Sequence, residues 1–387
     1  MTESMPVRPS RGHRIADCLV IRTDPGAEAA NPYYLHRVRP LCDEVAARLG
    51  RTGDTAVRRL AELLQRDTTD VAAYRALVTA LDRSAEAGEA DEVARTAARR
   101  SRIGYRVGDD YRPHRAIGPD ELLTEATGRG GTDADVLVVI PFRDATATRG
   151  RFRNLLACLR TLQRQSLPRS RYRICVVESD ERPRWRDEIP ALADDYLFAA
   201  KAGPFNKSWA VNVGVVNAGG AAELLCVLDA DALVDNYFLE RNVRRFDRPG
   251  TGAFLPFRDL TYLDAHATNQ AVESRCLDGA ADFDHRRIRA FLVHRSPGVC
   301  VWLHREVFDA VDGMDERFEG WGGEDIAFVT RLQLAAPFLV FDDVMYHAHH
   351  EPSSHLVGGE TVNAHIPRFD WKPQVPIGDV DRFRTSF

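Results

Sequence analysis

Apolar residues recur along this chain with two different periods, and the change from one to the other divides it in two. From about residue 37 to 105 they come at helical spacing, with Leu60, Leu63 and Leu64 making one stripe and Leu77, Val78 and Leu81 another. Asp54–Thr55 and Thr69–Asp70 stand where helix caps belong. The pattern predicts a small helical bundle, and it lacks the period of about 34 residues that marks a tetratricopeptide array. The basic run from Arg95 to Arg106 follows directly on Glu86, Glu89, Asp91 and Glu92, so it reads as a solvated helix face rather than a phosphate-binding surface.

After the punctuation "GRGGTDAD" (128–135) the grammar changes. "VLVVIP" (136–141) is a continuous apolar run ending in proline, as expected of a strand buried on both faces. A helix is predicted through Leu155, Leu156, Leu159 and Leu162, then a strand at "YRICVVESD" (172–180), a helix at "NKSWAVNVGVVNAG" (206–219) and a strand at "LLCVL" (224–228). This alternation implies right-handed crossovers and a mainly parallel sheet, in an α/β domain at 131–387 that follows a helical region at 1–130. Ligands of such sheets sit beyond the carboxyl ends of the strands. Pro141-Phe142-Arg143, Glu178 and Asp229 all fall there.

Composition narrows the class. The net charge of −5 gives no reason to expect nucleic acid as a partner. The seven cysteines show no CxxC pairing and several lie in strand-like runs, the usage of reduced, buried thiols rather than of disulfides or a zinc site. The amino-terminal "MTESMPVRPSRGHR" is not followed by an apolar stretch, and no run approaches the roughly 18 residues of a membrane span. The expectation is a soluble, cytoplasmic protein. A homo-oligomer is compatible with this pattern.

Three clusters carry chemistry. "DAD" (229–231) places two carboxylates where a buried strand stops, which repels and dehydrates both unless a cation or firm hydrogen bonds compensate. Carboxylates suit Mg2+ or Mn2+, and a phosphate-bearing substrate would complete the ligand set. "MYHAHHEP" (345–352), after the apparent strand "FLVF" (338–341), offers three histidines as further ligands, and an imidazole beside carboxylates favours Mn2+. "FEGWGGEDIAFVTRL" (318–332) sets Trp321 among glycines and then opens an amphipathic helix with Glu324 and Asp325, through Ile326, Phe328, Val329 and Leu332. Acids at a helix start complement its dipole, but that does not account for the tryptophan. A carboxylate fixed beside a sugar-sized aromatic surface makes a good general base.

In order along the chain, "IPFRD" (140–144), "FNKSWAVNVG" (205–214), "DAD" (229–231) and "GWGGEDI" (320–326) resemble the motifs of GT-A glycosyltransferases, in particular the β-1,4-galactosyltransferase family and the bacterial family 2 enzymes. The resemblance runs from about 135 to 370, and "SPGVCVWLHREVF" (296–308) resembles the strand and helix before the last motif. It implies a GT-A fold, Rossmann-like and flanked by helices. It also implies that Pro141, Phe142 and Arg143 hold the nucleotide of a UDP-sugar, with Glu178 near the uracil or ribose and Phe205, Asn206 and Lys207 along the nucleotide and diphosphate. Asp229 and Ala230 would lie against the donor, and Asp231, with Asp229 nearby, would bind the metal together with one histidine, His347 first, with His349 and His350 as its rivals. Trp321, Gly322 and Gly323 would shape the sugar and acceptor site, Glu324 would hold hydroxyls and Asp325 would be the catalytic base. The family's membrane anchor has no counterpart, Lys207 stands where arginine is common, and the segment 264–292 differs from the animal enzymes.

The expected reaction is metal-dependent, inverting transfer of a hexose (galactose, glucose or an N-acetylhexosamine) from a UDP-sugar to an acceptor hydroxyl on a small molecule, glycan or peptide. A nucleotidyltransferase would share the sheet and carboxylates but would carry a glycine- and lysine-rich loop where this chain has "PFRDATATRGR". A non-catalytic sugar-binding protein would have no need of Asp229, Asp231, Glu324 and Asp325 together. The segment 264–292 reads either as a solvated surface helix or as part of the wall that selects the acceptor.

Overall fold

The computed structural model describes residues 9–123, 128–351 and 356–384, so the start of the charged amino terminus lies outside the described residues. Two compact units are present: residues up to 112 together with 286–294, and residues 113–285 together with the chain from 295 onward.

The first unit is helical, and its helices begin earlier than the apolar pattern suggests, at Arg11–Thr23. Pro32–Gly50, Thr55–Arg66, Val71–Arg83 and Gly88–Ser101 follow. Asp54 caps the third of these by accepting from the amides of Ala56 and Val57, and Asp70 caps the next through Ala73; the neighbouring threonines do not cap. The buried stripe of Thr55–Arg66 is Val57, Ala61 and Leu64, with Leu63 39% exposed. At 3.6 residues per turn Leu63 and Leu64 cannot share one narrow face, and Leu64 is the one aligned with Val57 and Ala61. Leu77, Val78 and Leu81 are buried as their spacing predicts. The basic run is helix only as far as Ser101, and Ile103–Val107 then forms a strand paired antiparallel with Arg289–His294. That returning strand is anchored by Arg289, 2% exposed, which donates to Asp24, to the Thr68 carbonyl and to the Tyr105 hydroxyl.

The second unit is built on a seven-stranded sheet in the order Phe338–Val340, Ala253–Leu255, Cys300–His304, Leu224–Leu228, Val136–Phe142, Tyr172–Glu178, Asp195–Phe198. All neighbours pair in parallel except Cys300–His304, which runs antiparallel to both of its own. Val136–Phe142 is buried at every position, as its unbroken apolar run requires. The helix Gly150–Gln163 buries Leu155, Leu156, Leu159 and Leu162, and Lys207–Asn217 lies so close to the sheet that a Cβ on Gly214 would strike Val139. Residues 113–123 belong to this unit, held through the His114 amide on His266 Nδ1 and the Ile117 amide on Asn269 Oδ1. The segment 264–292 is not one helix. Ala265–Val272 continues as a single wide turn, Glu273–Leu277, and the chain then leaves for the strand Arg289–His294.

The strand "FLVF" exists but is not buried. Phe338–Val340 is an edge strand, paired among the described residues with Ala253–Leu255 alone, and Val340 is 41% exposed. The histidines instead follow Met345–His347, which pairs parallel with Asp259–Leu263 and antiparallel with Ala232–Leu233. All seven cysteines are free and buried, and no helix among the described residues is long and apolar enough to cross a membrane.

Candidate active site

Pairing register creates the first part of the site. His347 lies opposite Ala232, and the Ala348 amide donates to the Asp231 carbonyl at 2.8 Å, so the last strand brings its histidines onto the aspartates of the 229–231 turn. Nε2 of His347 stands 3.1 Å from Asp231 Oδ1, and Nε2 of His350 stands 3.1 Å from Oδ2. One ligand-capable atom from each of these three residues falls within 4.8 Å of the others. Tyr262 lies face to face with the His347 ring at 3.9 Å between centroids and fixes its plane. Burial pushes the Asp231 carboxyl up, but the two imidazoles outweigh it and hold it well below the usual carboxylate range.

These residues fit a divalent cation. His347 Nδ1 is buried and makes no hydrogen bond among the described residues, and both Asp231 oxygens face imidazole nitrogens 3.1 Å away, so a carboxylate and two imidazoles stand within reach of one ion. One carboxylate with two imidazoles suits Mn2+ better than Mg2+. His349 does not join the group. Its amide donates to Thr268 Oγ1 and its carbonyl accepts from Arg153 and Asn154, so this residue braces the loop through its backbone.

Asp229 faces the other way, onto Lys207. The ammonium is 2.7 Å from Asp229 Oδ1, 2.8 Å from Asp325 Oδ1 and 3.1 Å from Asp325 Oδ2. Burial favours neutral lysine, but the two carboxylates overcome it and raise the Lys207 pKa well above its ordinary value. Asp229 is raised by burial against the opposing pull of Lys207. Glu324 opens the helix Glu324–Ala335 with Oε2 buried and without a hydrogen-bond partner among the described residues; burial and the neighbouring Asp325 charge push its pKa up to about 7. Within that helix Phe328, Val329 and Leu332 are buried, whereas Ile326 turns outward.

The loop before this helix bends because it is glycine. Gly322 and Gly323 have φ of 101° and 104°, and a Cβ on either would meet Thr361 or Phe318 at under 3 Å. The Gly320 amide donates to the Phe205 carbonyl at 2.7 Å, tying the Trp321 loop to the segment that carries Lys207. Asn206 itself is fully buried and occupied: it accepts from the Trp209 amide as helix cap and donates to the Glu316 carbonyl.

At the proposed nucleotide end, Phe142 is buried at the carboxyl end of its strand, and Arg143 donates to the Gly203 carbonyl and lies 3.2 Å from Asp180 Oδ1. Glu178 is buried and accepts from the amides of Arg184 and Trp185 and from the Tyr196 hydroxyl. Its oxygens therefore hold the 179–185 loop in place. Sequence reading passed over Asp180, which is 1% exposed and grips Arg143 and Arg184. It also passed over Tyr262 and over Val299, whose φ of 80° is strained for a β-branched residue and whose carbonyl accepts from the Asp229 amide at 2.8 Å. The clue to Val299 is the glycine before it, and the clue to Asp180 is its place just past a buried strand.

Residues 138–312 match the profile of glycosyl transferase family 2, and residues 294–338 match a profile described as the N-terminal domain of galactosyltransferase. No curated protein matches the chain in sequence. Among solved structures, a mannosyltransferase from Pyrobaculum calidifontis in complex with GDP-Man and Mn2+ is similar at 18% identity over 62% of this chain, with a TM-score of 0.37, and the chain spans 59% of its length. The catalytic domain of Drosophila beta1,4galactosyltransferase 7 is similar at 18% identity over 56% of this chain and 71% of its own, with a TM-score of 0.35. S. aureus TarS in complex with UDP is similar at 14% identity over 56% of this chain and 60% of its own, with a TM-score of 0.39. Two overlapping family profiles over one mainly parallel sheet of GT-A type make residues 138–338 similar to the family 2 glycosyltransferases and the galactosyltransferases.

Proposed function

We propose that this domain transfers a hexose, namely galactose, glucose or an N-acetylhexosamine, from a UDP-sugar to an acceptor hydroxyl with inversion and with the help of Mn2+. The observation that carries this reading is a convergence just past the carboxyl end of the strand Leu224–Leu228: Lys207 bridges Asp229 and Asp325 beside the group Asp231, His347 and His350. Those last three are the ligands we assign to the cation. When bound there, the cation supplies Lewis-acid neutralisation of the charge on the departing diphosphate. Lys207 and Arg143 add fixed positive charge on the same side. Asp325 accepts the acceptor's proton as its oxygen attacks the anomeric carbon from the face opposite the diphosphate.

The remaining residues position. Pro141, Phe142 and Arg143, with Asp180 holding Arg143, form the nucleotide end, and Glu178 acts there by fixing the 179–185 loop. Phe205 and Asn206 set the start of the Lys207 helix, and Asp229 and Ala230 lie along the donor. Trp321, Gly322 and Gly323 form the sugar and acceptor wall, where Glu324 holds hydroxyls. Anchoring the UDP portion places the reacting carbon within attack distance. We assign the catalytic domain to the second unit, which begins at residue 113 rather than 131, and place the protein in the cytoplasm, where its free thiols stay reduced.

The test is a thermal-shift panel of UDP- and GDP-sugars with and without Mn2+. Stabilisation by UDP-sugars that requires Mn2+ supports the reading, and a flat response to every nucleotide-sugar contradicts it.

A further inference from the structure

An ammonium has three N–H donors, and Lys207 directs its nitrogen at three carboxylate oxygens, one from Asp229 and both from Asp325. The side chain is only 12% exposed, so water competes little for it. Asp325 in this arrangement spends both oxygens on the lysine. A base must turn a lone pair toward the proton it takes. Lys207 is also the first residue of the helix Lys207–Asn217, whose amino-terminal end favours an approaching anion. A lysine on a flexible four-carbon stem can exchange one anion for another without moving its backbone.

We propose that Lys207 is a shared counter-ion: it occupies Asp325 until the diphosphate of the donor draws it away, so that Asp325 is free to accept a proton only in the donor-bound enzyme. The inference rests on the reading of Asp325 as base and of a nucleoside diphosphate as donor. It has a consequence that a purely catalytic Asp325 does not have. Asp325 and the diphosphate compete for one cation, so they oppose each other by linkage. Neutralising Asp325 removes the competitor and tightens nucleotide binding, while Asp229 still holds Lys207 in the cleft.

The experiment is calorimetric titration of UDP at fixed Mn2+ into the wild type, Asp325→Asn, Lys207→Gln and the double variant, with Asp325→Ser in reserve if the first does not fold. The expected result is a Kd at least about fivefold lower in D325N than in the wild type, a higher Kd in K207Q, and less than a twofold effect of D325N in the K207Q background. An unchanged Kd in D325N overturns the proposal. So does equal tightening in both backgrounds, which would mean that Asp325 repels the nucleotide directly. A wild type that binds no UDP overturns the donor reading and this inference together, whereas UDP binding without the D325N effect removes the inference alone.

Discussion

Gly298 has no side chain where the carboxylate of Asp325 lies, and a Cβ built there would run into that carboxylate. The contact links two loops. The carbonyl of Val299, the next residue, accepts from the Asp229 backbone amide through a strained backbone, so residues 298–299 meet the Asp325 carboxylate on one side and the main chain of Asp229 on the other. Gly298→Ala should displace Asp325 and lower turnover by roughly 10²-fold, the cost of a misplacement near 1 Å, while UDP binding is retained. Steady-state kinetics beside calorimetry checks this; unchanged kcat would mean that the position of Asp325 is not critical.

Asp325→Asn keeps the shape and removes the basicity. Turnover should fall by about 10²–10⁴-fold while the donor binds at least as tightly as to the wild type. A kcat close to wild type would assign the base to another group, with Glu324 the first to examine.

The two adjacent histidines give a sharp contrast. His350→Ala removes a group standing 3.1 Å from Asp231, whereas His349→Ala removes a ring that does not join the metal group. Mn2+ affinity, measured by titration calorimetry on the chain without nucleotide, should fall by at least about 10-fold in the first and stay near wild type in the second. The reverse order would relocate the metal.

Glu324 makes stability depend on pH. Burial and the Asp325 charge disfavour its ionisation and push its pKa up to about 7 in the folded chain, from an ordinary value of 4.5. Between those two values the folded state binds more protons than the unfolded one, so this contribution is full at and below pH 4.5 and is lost as pH rises through 7. Glu324→Gln should therefore melt above the wild type at pH 8, and the two curves should converge near pH 5. Parallel curves across that range would show that Glu324 ionises normally.

How much of this could be read from the chain depended on whether a feature was local. Val136–Phe142 and Leu224–Leu228 were legible because a strand buried on both faces leaves an unbroken apolar run, and Asp229 and Asp231 drew notice because charge follows such a run directly. The choice between His349 and His350 was not local. It is made by the pairing of His347 with Ala232, which decides which later ring returns to Asp231. The ion pairs of Lys207 likewise join residues 22 and 118 positions away in the sequence, and only the sheet order brings them together. Leu63 was misplaced because adjacent leucines look alike in a list of apolar positions, and only the alignment of Val57, Ala61 and Leu64 shows which one faces inward. Asp180 looks like any loop acid until its contacts with Arg143 and Arg184 are seen.

The most direct measurement is release of UDP from UDP-galactose, UDP-glucose and the UDP-N-acetylhexosamines by the purified chain, followed with Mn2+, with EDTA, and in the Asp231→Ala variant. The account predicts release from at least one of these donors with Mn2+, none in EDTA, recovery when Mn2+ is restored, and none in D231A. Undiminished release in EDTA or in D231A, or no release from any UDP-sugar with Mn2+ present, would contradict it.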